Sequence, residues 1–162
     1  MKTTLSQLFL LAALIAQPAL AEVDVRFLQP DHYTDVGEQR EATRIFLEIE
    51  QYLIALGARY LPPGQRLAVE VLDVDLAGRV EMVGRRLDLV RVLRGKADAP
   101  LLRLRYVLYA GEQPLAQGEE ALTDMMYLDR PGSVGADEPL FYEKRLLLDW
   151  FRARFGAPPA KD

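Results

Sequence analysis

The chain predicts a two-layer α+β domain, with two helices packed on one face of a four- to five-stranded, mixed, mostly antiparallel sheet. Three observations carry this. From Ala42 to Leu56, apolar residues recur at helical spacing, which commits one stripe to a core. Leu102, Leu104, Tyr106 and Leu108 alternate with Arg103 and Arg105, and a second strand-like segment follows across a short turn. A further helical stripe closes the chain, with Leu140, Leu147, Leu148, Phe151 and Phe155 on its apolar side.

Ahead of the domain, Met1-Lys2 gives a positive start, and Leu8 to Ile15 is a nearly unbroken apolar run. Pro18 breaks that run, and Ala19-Leu20-Ala21 places small residues at −3 and −1. Such a run is too short to span a bilayer, so residues 1–21 are expected to be a cleaved secretory signal peptide. Residues 22–156 then form one domain, and 157–162 a flexible tail.

Val23, Val25 and Phe27 alternate with Asp24 and Arg26 as a first strand. Gln29 to Gly37 is a polar loop, and Asp35 with Glu38 fits a capping box for the first helix. Gly57 weakens that helix near its end and Pro62-Pro63-Gly64 stops it. A second strand runs from Leu67 to about Leu76, and a weaker third from Leu87 to Leu93. Leu101–Tyr109 and Leu115–Leu122 form the fourth and fifth strands around a turn at Ala110–Pro114. A two-residue turn would set Arg103 against Glu120; a three-residue turn would set Arg105 against Glu119. Asp129 to Ala136 is a Gly- and Pro-containing loop, and Asp137 is expected to cap the last helix, with Pro139 in its first turn. The first strand, helix and second strand suit a right-handed parallel crossover, and a ferredoxin-like strand order is the alternative.

Charge and composition narrow the class. The full chain carries 20 basic and 24 acidic residues, and loss of Lys2 with the leader makes it one unit more acidic than −4. That balance argues against a nucleic-acid partner. There is no cysteine, so neither a disulfide framework nor a lipid anchor is expected. No second apolar stretch approaches a membrane span, so no membrane insertion is expected. The address that results is the periplasm, with full secretion as the alternative, and no cofactor is called for.

Two residues on the second strand draw most attention. Period two places Asp73 and Asp75 on the same face as Leu67, Val69 and Val71, with Cα atoms about 6.5 Å apart. A carboxylate pair there can hold Ca²⁺ or share acid–base work, or simply meet water before the turn at Gly78. Lys144 projects into the apolar face of the last helix, so it must snorkel or meet a carboxylate. Asp73 or Asp75 is the expected partner in a structural ion pair. Tyr127, with Met125 and Met126, could line a groove for a peptide or partner, or pack at the end of the fifth strand. Arg79, Arg85, Arg86, Arg91 and Arg94 form a basic stretch that reads as a solvated strand face. His32, the single histidine, cannot build a zinc cluster. No nucleophile elbow or glycine-rich phosphate loop occurs.

Four segments carry a family resemblance: Pro30–Val36, Asp73–Gly78, Gly118–Met125, and Tyr142–Arg145 leading to Trp150-Phe151. Together they resemble a proteobacterial envelope family catalogued as domain of unknown function 3016. One departure is visible, since that family tends to carry Trp-Pro where this chain has Ala99-Pro100. The resemblance implies a single periplasmic domain and assigns no activity. The function expected from the residues is a non-catalytic envelope accessory or protein-interaction module. The alternatives are a small-ligand or divalent-metal binder using Asp73 and Asp75, and a carboxylate-dependent hydrolase.

Overall fold

The structure is a computed structural model and describes residues 21–84, 88–132 and 138–156. Residues 1–20 of the leader, Arg85 and Arg86 of the basic stretch, the Asp137 cap and the tail from residue 157 lie outside the described residues, as does the second half of the loop from Asp129 to Ala136. Its main elements, in order, are β1 (Glu22–Phe27), α1 (Gln39–Tyr60), β2 (Gln65–Asp75), β3 (Arg79–Val83), β4 (Asp88–Val92), β5 (Leu101–Ala110), β6 (Gln113–Thr123) and α2 (Phe141–Phe155). The main sheet has four strands in the order β1-β2-β5-β6; β1 runs parallel to β2 and the other pairs are antiparallel. A ferredoxin-like chain would place a helix between the last two strands of its sheet. Here Gly111 and Glu112 alone join β5 to β6, so the α+β expectation holds in its meander form.

Both helices contribute to one apolar core. Ile45, Ile49, Leu53, Leu56 and Tyr60 of α1 meet Leu67, Val69 and Val71 of β2, the even-numbered residues Leu102 to Leu108 of β5, and Leu147, Trp150 and Phe151 of α2. Gly57 has a second role besides weakening the helix. A Cβ there would collide with the Val23 side chain, so the glycine lets α1 lie directly on β1. Asp35 does not cap this helix. Glu38 holds the cap position without a side-chain bond, and Asp35 instead forms an isolated bridge to Asp75.

Two bulges reset what period two would dictate. In β2, Val71 pairs with Leu104 but Asp73 pairs with Arg103, so Leu72 is an extra residue. Up to Val71 the odd-numbered residues are buried; beyond it Val74 and Leu76 are. Asp73 and Asp75 therefore turn away from the core, and the expectation that they share a face with Leu67, Val69 and Val71 is corrected. In β6, Tyr109 pairs with Pro114 but Leu108 with Ala116. The turn has two residues, yet the bulge sets Arg105 opposite Glu119, where their side chains pair at 3.0 Å.

On α2 the buried residues are Glu143, Leu146, Leu147, Trp150 and Phe151, a regular i, i+3, i+4, i+7, i+8 stripe. Its centre lies to one side of the Leu140/Leu148/Phe155 face expected from sequence. That small rotation moves Lys144 to the margin and buries Glu143. The Lys144 ammonium lies 2.8 Å from Glu138 and 3.5 Å from Glu48, rather than against Asp73 or Asp75. The anticipated ion pair between α2 and β2 is not formed. A different link runs from Glu143 of α2 to the segment just after β2, its carboxylate accepting the Ala77 N–H at 2.8 Å.

Candidate functional site

The segment after β2 leaves the main sheet. β3 and β4 pair only with each other, forming a two-stranded hairpin outside the two layers. β4 corresponds to the expected third strand, whereas β3 was not anticipated. Its signal was present: Val80 and Met82 alternate with Arg79, Glu81 and Val83, and Gly84 supplies the turn.

The register pairs Val80 with Arg91 and Met82 with Leu89, so these four share one face. Met82 and Leu89 are each 68% exposed, and Val80, Val83 and Val90 nearly half exposed. An isolated two-stranded ribbon is marginal in water. Its root must hold it, and the root is where the charged residues gather.

Asp35 accepts both ends of the Arg91 guanidinium, at 2.8 and 3.3 Å. Asp75 accepts Arg79 in the same manner, at 2.7 and 3.3 Å. Burial alone would raise the Asp35 carboxyl, but the Arg91 hydrogen bond and charge outweigh it and hold it below its ordinary range. Arg79 and Arg91 also donate to the Gly78 carbonyl, each at 3.2 Å. Two carboxylates and two guanidiniums thus close a neutral cluster, in the bidentate geometry that favours arginine. Asp73 stands apart from it, accepting the Thr34 N–H at 2.8 Å and the Thr34 hydroxyl at 2.9 Å. The two aspartates do not converge on a shared site; each has its own donor. Among the described residues, no group of three or more His, Cys, Asp or Glu gathers as a metal ion requires. His32 is exposed in a short turn, Pro30–His32.

Asp98 forms the other side of the root and was not singled out by the sequence. It is 4% exposed, and accepts the Tyr127 hydroxyl and the Arg94 N–H, each at 2.7 Å. Its own carbonyl accepts the Gly78 N–H at 3.0 Å. Burial and the hydrogen bond to Asp98 push the Tyr127 hydroxyl up to about 12. Tyr127 is 2% exposed, with its ring edge-on to Tyr142, which places it in this root and not along an open groove. Met125 and Met126 remain exposed beside it. Gly78 has φ +82° and a Cβ there would come within 2.6 Å of the Val92 carbonyl oxygen, so only glycine lets the hairpin fold back at this point.

Besides Arg79, Arg91, Asp98 and Tyr127, the root draws on Thr34 and Asp35, on Asp73 to Gly78, and on Glu143 of α2. This second set falls within three of the four segments that carry the family resemblance. The class is thus an α+β domain bearing a hairpin with exposed apolar side chains on a hydrogen-bonded root that holds a neutral Asp/Arg cluster. The chain matches the family described as Protein of unknown function (DUF3016) over residues 21–153, and it belongs to that family. No curated protein and no solved structure matches it. Among the described residues no helix is long and apolar enough to cross a membrane.

Proposed function

We propose that this chain is a protein-interaction module of the cell envelope, exported by its leader, and that it docks through the β3–β4 hairpin. The observation that carries this reading is the exposure of Met82, Leu89, Val80, Val83 and Val90 on an element that pairs with no strand of the main sheet. Val80, Met82 and Leu89 share one face with Arg91, and exposed apolar side chains beside a charged residue are what a partner surface covers. The ion-binding and hydrolytic readings of Asp73 and Asp75 gain less, since both carboxylates are already engaged by Thr34 and Arg79.

A photoreactive phenylalanine analogue at Leu89, in the chain expressed with its leader, is expected to give one discrete adduct in the periplasmic fraction. The same analogue at Glu112, in the β5–β6 turn, should give none. Met82→Asp should suppress the Leu89 adduct while changing stability by no more than about 0.5 kcal/mol, as for other surface substitutions. An adduct of twice the chain's mass would identify a second copy as the partner. Equal labelling from Leu89 and Glu112, or none from either, would overturn the reading.

A further inference from the structure

Beyond the end of β2, the N-terminal halves of α1 and α2 leave a cavity of about 270 Å³ between them. Ile45, Leu76, Leu93 and Phe141 give it apolar walls. That volume is several times the roughly 30 Å³ of a water molecule and near the small end of ligand sites, so it suits a group of side-chain size.

The charges around it are not evenly matched. Arg91, on the hairpin side, is neutralised by Asp35. Glu48 and Glu138, on the helix side, share the single positive charge of Lys144, and Glu41 and Arg44 line the same side. Glu143 also lines the cavity, is only 3% exposed, and accepts the Ala77 N–H on Oε1. Among the described residues no cation comes within 4.0 Å of it. Arg91 and Lys144 act on it only from beyond contact. A buried carboxylate without a contacting countercharge is costly, and such costs are commonly retained where a ligand supplies that charge.

We propose that this cavity receives a primary ammonium group on a short apolar stem, its charge on Glu143 and its stem against Ile45, Leu76 and Leu93. The ammonium arrives either on a free small amine or on the lysine side chain of a docked partner, and only the second source rests on the docking reading above. The hairpin makes the second source accessible, because Arg91, which lines the cavity, shares a hairpin face with Val80, Met82 and Leu89. An extended segment lying on that face has its path to the cavity mouth already set.

The test follows the Ala77 amide, which Glu143 holds, by NMR in the mature chain. n-Butylammonium should shift it saturably, with affinity on the order of millimolar for so small a ligand. n-Butanol, of the same shape without the charge, should bind at least about tenfold more weakly. Glu143→Gln keeps an acceptor for Ala77 yet should abolish the response. Leu93→Trp, at a partly exposed wall position, should abolish it by filling the space. An equal response to n-butanol, unchanged binding by both variants, or no response to n-butylammonium would each overturn the proposal.

A blocked apolar peptide with one central lysine, compared with its norleucine counterpart, separates the sources. Binding at least about tenfold tighter than n-butylammonium, weakened by Met82→Asp, assigns the site to a partner's lysine. Binding of n-butylammonium but not of the peptide assigns it to a free amine; the cavity site then stands while the docking reading loses this support.

Discussion

Phe151→Ala is expected to lower the stability of the domain by about 3–5 kcal/mol, the range for removing a large aromatic from a packed core. Phe151 is fully buried and contacts the rings of Tyr60, Trp150 and Phe155, so it joins α1 to α2 at the centre of the helical layer. The lost ring leaves transfer energy unrecovered and a space that its neighbours cannot fill. With no cysteine in the chain, no disulfide limits the damage. Chemical denaturation should show a lower midpoint with an unchanged slope, and Tm should fall by on the order of 10–20 °C. A loss under about 1 kcal/mol would mean that the two helices do not share one core.

Glu143→Ala comes second, with an expected loss of about 2–4 kcal/mol. It strands the buried Ala77 N–H and leaves a void where α2 meets the end of β2. Glu143→Gln separates the charge from the hydrogen bond. Burial raises the Glu143 carboxyl above its ordinary value, against the opposing effects of the Ala77 N–H and of the Arg91 and Lys144 charges. Its folded form therefore holds a proton that the unfolded form has already lost, over a window starting near 4.5 and extending upward. Through that window the wild type loses stability as pH rises, and it regains it on acidification. Glutamine does not titrate. The stability of wild type relative to Glu143→Gln should thus improve as pH falls from 7 towards 4.5, read by urea denaturation at both values. A difference that stays constant with pH would show that Glu143 is not perturbed by its burial.

The sheet and both helices were legible because each rests on a repeated signal. Ile45, Ile49, Leu53 and Leu56 announce α1 four times over, and the alternation from Leu102 to Leu108 announces β5 as clearly. What was misread depends on single residues. Leu72 carries no mark of being an extra residue, yet it decides the face on which Asp73 and Asp75 emerge. On α2, shifting the centre of the stripe by one residue exchanges the fates of Glu143 and Lys144, and a projection centred on Leu140, Leu147, Leu148, Phe151 and Phe155 does not resolve that shift. Leu146 and Trp150 contain the correction, since they complete the stripe that includes Glu143. Asp98 was invisible for another reason. Its importance lies in its reach to Tyr127 and Gly78, both distant in sequence, beside its nearby partners Arg94 and Gly95, and the reach to Tyr127 appears only once β5 and β6 have folded. The hairpin was half seen, because five-residue strands leave little room for a period to establish itself.

The bulge at Leu72 sets what the strand can offer beyond it. With strict alternation, Asp73 and Asp75 would have pointed into the helical layer, where two carboxylates would need cations that the core does not supply. One inserted residue exchanges inside for outside, so the same strand that begins as a wall of the core ends as a mount for Arg79 and, through Asp35, for Arg91. The chain thereby gains an arm projecting from a closed domain without spending a second domain to carry it. The arm's exposed apolar residues lie outside the core that α1, α2 and the main sheet share.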